Sequence, residues 1–380
     1  MDFALTEDQQ LIQKSARDFA TREIEPIAAK LDKEARWPKE IVAAMAELGY
    51  LGMAIPVELG GAGLDCVSYV LALEELSRAC ASCGVIMSVN NSLFCDPLHK
   101  FGTDWQKQEI LAPTAAGKML GAFALTEPSS GSDAQTMTTG AELQPDGSYL
   151  LNGSKNFITN GPEADHIIVF AITAREQGRV KHTALLVHKD MAGLSVSPHD
   201  EKLGIRAAHS CTLYFDNLRV PKEHVLGKPG EGFKVAMATL DGGRIGIAAQ
   251  ALGIARAGLD KAIAYSKERK AFGKPIAELQ ALQFMMADMA TELDAARLLT
   301  LRAAALKDAG ARHTAESAMA KLYASEMCTR VTHKAIQIHG GYGYTTEYGV
   351  ERHYRDARVT EIYEGTSEIM RLVVAAAALR

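Results

Sequence analysis

Residues 358–369 read Arg358-Val359-Thr360-Glu361-Ile362-Tyr363-Glu364-Gly365-Thr366-Ser367-Glu368-Ile369. In this stretch a carboxylate, Glu364, stands directly before Gly365, and glycine adopts backbone conformations that a Cβ atom disfavours. Thr366 has the character of an N-cap, and a helical run follows to Leu379. The pattern predicts a carboxylate on a short turn at the start of a helix, where a base can point into a pocket. A capped surface helix with a solvated glutamate is the alternative that this stretch alone leaves open.

The composition is that of a large globular chain. Its 380 residues are enough for two or three domains. The formal net charge is -5, so we expect neither nucleic acid nor an anionic membrane as the main partner. Residues 1–8 are acidic and polar, unlike a signal or transit peptide, and no apolar run is long enough to cross a bilayer. We therefore expect a cytoplasmic protein, or a mitochondrial matrix protein if the chain is a processed form.

The six cysteines are too few to suggest a fold that depends on disulfides. Cys80 and Cys83, followed by Cys95 and His99, have a spacing that superficially resembles a zinc site. The residues around the first pair are small and apolar, and the glycines and basic residues of a zinc loop are absent. We therefore predict buried free thiols and no metal.

The pattern of apolar residues divides the chain into three parts, and the predicted fold class is α+β, mostly α. Residues 1–120 predict an N-terminal α-helical domain with a capping box at Thr6–Gln9, in which Pro26 should kink or end the first helix. Residues 121–230 predict a middle antiparallel β domain, from short apolar runs at 149–151, 167–170, 184–187, 194–196 and 212–215. Residues 231–380 predict a C-terminal four-helix bundle, with helices at about 231–268, 277–309, 312–338 and 366–379.

Four more motifs have both a functional and a purely structural interpretation. Residues 123–133 are dense in hydroxyls and turn formers, which suits a polar ligand or a hydrophilic linker. Phe157 could lie against a planar ligand or pack in the core. Arg269 begins a basic, aromatic hairpin that could bind a phosphate or simply join two helices. Gly340 and Gly341, which follow His339, allow close backbone approach to a ligand or form a C-cap.

Together and in this order, the motifs closely resemble those of the acyl-CoA dehydrogenase family of flavoproteins, over essentially the whole chain. The short-chain (butyryl-CoA) branch looks closest. The most specific parts are Leu125-Thr126-Glu127-Pro128 with Gly131-Ser132-Asp133, Arg269-Lys270-Ala271-Phe272-Gly273, Gln337-Ile338-His339-Gly340-Gly341-Tyr342-Gly343, and Tyr363-Glu364-Gly365-Thr366-Ser367-Glu368.

The resemblance implies that FAD lies between the β domain and the bundle. The residues that match the family's FAD contacts are Phe123, Leu125, Thr126, Ser132, Phe157, Ile158, Thr159, Arg269, Gln280, Gln337, Gly340, Gly341, Thr366, Ser367 and Glu368. Many relatives have Trp in place of Phe157, which keeps ring stacking but makes the contact smaller. Arg269, Gln280 and residues 337–341 would reach the FAD of a neighbouring subunit, which implies a homotetramer built as a dimer of dimers.

The resemblance also implies the chemistry. Glu364 would remove the α-proton of an acyl-CoA, flavin N5 would take the β-hydride, and the product would be the trans-2-enoyl-CoA. The Glu364 backbone N–H and a ribityl hydroxyl of FAD would polarise the thioester carbonyl, and burial should raise the pKa of Glu364. Ser132, Asp241, Arg244 and Gly365 would contact the substrate. Electrons would pass to an electron-transferring flavoprotein.

Alternatives remain within the family's fold and outside it. A branch of the family carries its base on the helix that contains Asp241, but the equivalent position here is Gly243, which argues against an isovaleryl-type enzyme. A dehydrogenase for a branched or medium-chain acyl-CoA remains open, as do a flavin oxidase or monooxygenase of the same fold and a catalytically idle scaffold. The sequence does not fix the acyl chain, the physiological direction or the electron acceptor.

Overall fold

The structure, a computed structural model, describes residues 4–176 and 179–379. Helices dominate both ends of the chain, and a sheet lies between them. The helices are α1 Glu7–Phe19, α2 Glu25–Glu34, α3 Lys39–Glu47, α4 Cys66–Ala79, α5 Ala81–Ser88, α6 Asp96–Phe101, α7 Asp104–Gln106, α8 Ala112–Ala115, α9 Gly232–Glu268, α10 Gln280–Asp308, α11 Thr314–His339, α12 Val350–Val359 and α13 Ser367–Ala378. No described helix is both long enough and apolar enough to span a membrane.

Three π-helical turns join neighbouring helices of the N-terminal part into longer rods. They are Ala20–Ile24 between α1 and α2, Val89–Cys95 between α5 and α6, and Lys107–Leu111 between α7 and α8. A proline follows each turn at the second position of the next helix: Pro26, Pro97 and Pro113. Proline lacks an N–H and its ring crowds the carbonyl four residues earlier, and the wider π turn accommodates both effects. The chain therefore stays helical through Pro26 to Glu34 instead of ending there.

The predicted helix start at Thr6 is confirmed. The Thr6 side chain accepts a hydrogen bond from the Gln9 backbone N–H, and the Gln9 side chain accepts one from the Thr6 backbone N–H, which completes the capping box. The six cysteines are free and buried, as predicted. Among the described residues, no group of three His, Cys, Asp or Glu side chains is placed to hold a metal ion.

The central sheet contains every apolar run that the sequence analysis selected. Its strands are β1 Gly121–Ala124, β2 Gly140–Leu143, β3 Tyr149–Thr159, β4 His166–Glu176, β5 Arg179–His188, β6 Leu194–Val196, β7 Ser210–Val220 and β8 Val225–Leu226. They are ordered β6-β7-β3-β2-β4-β5-β8, and β1 pairs with β4. The prediction of an antiparallel domain needs one correction, because β1 and β2 both run parallel to β4. These two strands are only four residues long and were not predicted.

The C-terminal helices pack around α9, which is 37 residues long and buried on most sides. The four predicted helices correspond, in chain order, to α9, α10, α11 and α13, and α12 is an additional helix. A short hairpin, β9 Lys270–Ala271 and β10 Lys274–Pro275, separates α9 from α10 at the predicted basic motif. Side chains of α4, α5, α9 and α11 belong to one apolar core, which joins the N-terminal and C-terminal helices. A second core packs α6 and the start of α9 against one face of the sheet.

Candidate active site

A cavity of about 800 Å³ lies where the sheet, α9 and the turn between α12 and α13 meet. Strands β1 and β3 contribute Phe123 and residues 157–159, and the first turns of α9 contribute apolar side chains and Arg244. Residues 362–366 close the opposite wall. The volume is in the range that small-molecule sites usually have.

Glu364 lies on this wall in a left-handed backbone conformation, with φ 52, and Gly365 follows with φ 103. Positive φ angles are easy for glycine and costly for a glutamate, so Glu364 occupies a strained turn. Thr366 then caps α13, because its Oγ1 accepts a hydrogen bond of 3.3 Å from the Ile369 N–H. The N-cap that the sequence predicts is therefore confirmed.

One face of α11 holds this turn from behind. Lys321 Nζ donates a hydrogen bond of 2.6 Å to the Gly365 carbonyl, and Ser325 Oγ donates one of 2.8 Å to the Thr360 carbonyl. One turn further along, Thr329 Oγ1 donates to a Glu361 carboxylate oxygen. The three side chains are four residues apart, which places them in one row along the helix. They fix the turn at both of its ends.

The Glu364 carboxyl group is buried and electrostatically tuned. Its Oε2 atom is buried and has no hydrogen-bond partner in the described part of the chain. Burial raises the pKa of Glu364 to about 7, against the opposing effect of the positive charges of Lys321 and Arg244. The Glu364 backbone N–H also has no acceptor within residues 4–176 and 179–379. The residue therefore offers a proton acceptor and a free hydrogen-bond donor at the same place.

Gly243 of α9 makes room for this carboxylate. An ideal Cβ atom at Gly243 would lie 2.2 Å from Oε2 of Glu364 and 2.8 Å from Cδ2 of Leu93. Both distances are far below van der Waals contact, so a larger residue here and the observed position of the carboxylate exclude each other. The sequence analysis had considered Gly243 only as the absence of a base.

Arg244 lines the cavity next to Glu364, whereas Asp241 does not. The Arg244 guanidinium donates from Nη1 to Asp241 Oδ1 at 2.7 Å, and Thr314 Oγ1 donates to Asp241 Oδ2 at 2.7 Å. Asp241 therefore holds Arg244 in place from behind. The Arg244 Nε atom is buried without a partner among the described residues, which leaves it available to a ligand or a bound water.

A buried ion pair supports the opposite wall. Lys155 Nζ donates to Glu127 Oε1 at 2.9 Å and to the Leu125 carbonyl at 3.0 Å, and both charged side chains are almost fully buried. Glu127 also accepts hydrogen bonds from the backbone N–H groups of Thr138 and Thr139. Although burial opposes the shift, the hydrogen bonds from Thr139 and Lys155 lower the pKa of Glu127 to about 2. The pair connects the loop after β1 to β3, and both elements line the cavity.

The wall formed by β3 suits a planar ligand with a polar edge. Phe157 has φ 59 and its ring is 66% exposed, although it lies inside a strand of a folded domain. The hydroxyl groups of Thr126, Ser132 and Thr159 line the same cavity. An exposed aromatic face beside hydroxyls suits an isoalloxazine ring, whose faces are apolar and whose edge forms hydrogen bonds. The residues that the chain places here therefore fit a flavin.

The structure divides the predicted site residues into several groups. The main cavity is lined by Phe123, Leu125, Thr126, Ser132, Phe157, Ile158, Thr159, Arg244, Glu364, Gly365 and Thr366. A second, more open concavity of about 420 Å³ is lined by Arg269, Gly340, Gly341 and the aromatic rings of Tyr265 and Tyr342, among others. Outside both linings lie Gln280, Gln337, Asp241, Ser367 and Glu368.

In the second concavity, the Arg269 guanidinium lies 6.0 Å from the centre of the Tyr342 ring. His339 stacks on Tyr265 at 4.4 Å, and its Nδ1 atom lies 2.8 Å from the Ala335 carbonyl. These contacts give His339 a structural role within the chain. Within one chain, this group of residues does not join the cavity that contains Glu364.

Sequence reasoning missed two lysines at the site, Lys155 and Lys321. Both are completely buried, which is rare for lysine unless the ammonium group has a partner. The available signal for Lys321 was a single charge in the otherwise uncharged run 318–324 of a bundle helix. Lys155 belongs to β3, where polar and apolar residues alternate, and the sequence does not show that its side chain is buried.

Comparisons with known proteins agree along the whole chain. Three domain profiles match in order: "Acyl-CoA dehydrogenase, N-terminal domain" at residues 6–118, "Acyl-CoA dehydrogenase, middle domain" at 122–218, and "Acyl-CoA dehydrogenase, C-terminal domain" at 230–379. The mitochondrial short-chain specific acyl-CoA dehydrogenase of Rattus norvegicus is 55% identical over 376 residues, which cover 99% of this chain and 91% of the relative.

Solved structures give the same result. Butyryl-CoA dehydrogenase from Megasphaera elsdenii matches with a TM-score of 0.98 and 45% identity over 100% of both chains. An acyl-CoA dehydrogenase from Bacillus anthracis, solved in complex with FAD, matches with a TM-score of 0.93 and 34% identity over 99% of this chain and 67% of the other.

Lys155→Met should destabilise the fold strongly, because it leaves the Glu127 carboxylate buried without its cation. The expected loss is about 3–5 kcal/mol of unfolding free energy, the usual result of breaking a buried ion pair. Urea unfolding measures it. The control is Lys189→Met, which removes the exposed ion pair between Lys189 and Asp165 and should have a much smaller effect. Equal losses in the two variants would contradict the structural importance of the buried pair.

Gly243→Ala should leave a folded protein with an inactive site. The new methyl group must displace the Glu364 carboxylate, and a displacement of about 1 Å at a reacting group can cost about a hundredfold in rate. The value of kcat/KM measures the effect. Gly258→Ala on the same helix is the control, because its Cβ would have its nearest neighbour at 3.4 Å, an ordinary contact. Full activity of Gly243→Ala would show that the carboxylate does not need this space.

Proposed function

The chain belongs to the acyl-CoA dehydrogenase family of FAD-dependent oxidoreductases, and on this premise we propose that it oxidises a short saturated acyl-CoA to the trans-2-enoyl-CoA. The observation that carries the proposal is Glu364, a buried carboxylate with a free oxygen on the wall of a large cavity. Its pKa of about 7 places it close to neutral pH, where a general base is most effective.

Glu364 removes the α-proton of the thioester. Its unpartnered Oε2 atom is the acceptor, and the strained turn holds this atom at the cavity wall. Because the α-hydrogen is only weakly acidic, the carbonyl must be polarised as the proton leaves. The free backbone N–H of Glu364 supplies a donor for the carbonyl oxygen, in the manner of an oxyanion hole. Base and donor thus come from a single residue.

The residues of β1 and β3 hold the cofactor against this wall. The Phe157 ring provides a stacking surface, and Thr126 and Thr159 provide hydroxyls for the polar edge of the ring system. When bound, FAD supplies the acceptor for the β-hydrogen as a hydride. The buried pair of Glu127 and Lys155 keeps the two parts of this wall at a fixed separation.

The apolar end of the cavity supports a short acyl chain. Val85 of α5 lines it together with Val89 and Leu93 of the π turn that follows, and Tyr363 lines the same cavity from the turn before α13. The Tyr363 hydroxyl donates to Oε1 of Gln250, which is itself fully buried and donates to the Ala81 carbonyl at 2.9 Å. These hydrogen bonds tie Tyr363 to α9 and α5 at this end of the cavity. The similarity to short-chain specific relatives supports the same substrate class.

The second concavity supports a subunit contact. Arg269 is exposed there over the Tyr342 ring, with Gly340 and Gly341 close by, and its guanidinium has no hydrogen bond or ion pair within the described residues. We propose that this surface binds the FAD of a neighbouring subunit in a tetramer. The basic hairpin would then supply Arg269 as a phosphate ligand. An electron-transferring flavoprotein is the proposed acceptor of the electrons, as the family resemblance implies.

Glu364→Gln should retain FAD and lose turnover by about 10²–10⁴-fold, because the amide preserves the shape of the side chain and cannot accept the proton. The measurement is an anaerobic titration with saturated acyl-CoAs of increasing length, following the visible flavin band. The native protein should bleach most strongly with butyryl-CoA, and kcat/KM should fall as the pH drops below about 7, where Glu364 becomes protonated.

Two results of this titration would redirect the proposal. Near-native bleaching by Glu364→Gln would remove Glu364 as the base. Strongest bleaching by a branched or medium-chain acyl-CoA would keep the reaction and change the substrate, and no bleaching by any of them would favour an oxidase on the same fold.

Arg269→Ala should lower FAD content and tetramer stability together, since the guanidinium is proposed to bind across the subunit interface. Flavin absorbance per chain and size-exclusion chromatography measure the two quantities. Lys267→Ala removes an exposed charge from the last turn of α9 and serves as the control. A fully flavinated tetramer from Arg269→Ala would refute the cross-subunit role.

A further inference from the structure

Lys321 is a buried cation whose one hydrogen bond within the described residues goes to the turn that carries the proposed base. Its side chain is fully buried in α11, and Nζ donates to the Gly365 carbonyl at 2.6 Å. Burying an ammonium group costs several kcal/mol unless it is compensated. A backbone carbonyl needs only a neutral donor, which a serine or glutamine supplies at lower cost. The charge itself therefore requires an explanation.

The explanation lies in the neighbouring carboxylate. Lys321 is close enough to Glu364 to affect its ionisation, yet its hydrogen bond goes to the next residue's carbonyl. Oε2 of Glu364 is consequently left without a partner. A direct ion pair would occupy the oxygen that has to accept the substrate proton. The observed arrangement provides positive charge and leaves that oxygen free.

We propose that Lys321 is a positioning residue for the base: its charge keeps Glu364 ionised near neutral pH, and its hydrogen bond fixes the Gly365 peptide so that the carboxylate faces the substrate. The inference rests on the proposed role of Glu364 as the base. Lys321 acts through Glu364 and does not touch the reacting atoms.

The other charged groups around the two residues are few and lie on known elements. Glu364 faces Arg244 of α9, and the phenols of Tyr69 and Tyr363 feel its charge. Lys321 is influenced by Arg244 and by the more distant Glu361 and Glu368. Burial lowers the pKa of Lys321 to about 8, so its charge is present at neutral pH and supports the carboxylate there. Arg244 is the second cation, but it is tied to Asp241, which partly offsets its charge.

The test is a set of substitutions at Lys321 in the flavin-loaded protein. Lys321→Gln keeps a donor for the Gly365 carbonyl and removes the charge, Lys321→Met removes both, and Lys321→Arg keeps both. Lys334→Gln is the control, because Lys334 lies on the same helix with its ammonium close to Glu292 and Asp288. An infrared titration follows the carboxyl band of Glu364, identified by its absence from Glu364→Gln, without substrate. The pH profile of kcat/KM is the second readout.

We expect the Glu364 midpoint to rise by about one pH unit in Lys321→Gln and Lys321→Met, the size of effect that a nearby opposite charge has. The acid limb of kcat/KM should move up equally, which lowers the rate at pH 7 about fivefold and restores it at higher pH. Lys321→Arg and Lys334→Gln should keep the native midpoint. At high pH, Lys321→Met should turn over more slowly than Lys321→Gln, because its Gly365 carbonyl has lost its donor.

Unchanged midpoints in the Gln and Met variants would overturn the role of the charge, and equal high-pH rates would overturn the role of the hydrogen bond. If Lys321→Met does not fold, Lys321→Gln decides the role of the charge alone. A protein that oxidises no acyl-CoA would contradict the proposed function, whereas the infrared midpoints would still decide whether Lys321 controls the ionisation of Glu364.

Discussion

The left-handed backbone of Glu364 is the constraint on which the rest of the site depends. A non-glycine residue in this conformation costs about 1–3 kcal/mol, and it persists only where the surroundings fix it. The row of Lys321, Ser325 and Thr329 on α11 provides that support, together with the cap at Thr366. Because α11 is itself packed against α9, a residue on a short turn is held as firmly as one on a bundle helix.

Two opposing effects set the chemistry of the buried carboxyl group. Desolvation favours the neutral acid, whereas Lys321 and Arg244 favour the anion. Neither cation bonds Oε2, so both favour the anion and leave this oxygen free. The opposite wall differs, because Lys155 and Glu127 form a direct ion pair there, and this pair connects two elements of the wall. One wall of the cavity thus carries a carboxyl group with a pKa near neutral pH, and the other is supported by a buried ion pair.

The sequence was sufficient to predict those features of the fold that depend on residues close together in the chain. Helix periodicity, the caps at Thr6 and Thr366, and the apolar runs of the sheet are local, and the structure contains them. The π turns were not predictable from periodicity, because each shifts the helical phase by one residue. Strands β1 and β2 are too short to show alternation. Lys321 is 44 residues from Gly365 in the chain, and only the packing of α11 on the turn brings them together. The proximity of Gly243 to Glu364 likewise depends on tertiary packing and is not visible in the sequence.

The space that Gly243 leaves for the Glu364 carboxylate has an evolutionary consequence. The turn and the helix compete for one volume, so the carboxylate can occupy either position but not both without rebuilding the wall. A lineage that moved the carboxylate from the turn to the helix by single substitutions would first have to lose it from the turn, and would pass through an ancestor with neither carboxylate. The two positions should therefore vary together among descendants, each being small where the other is acidic. A single missing methyl group thus decides which of the two elements can carry the carboxylate.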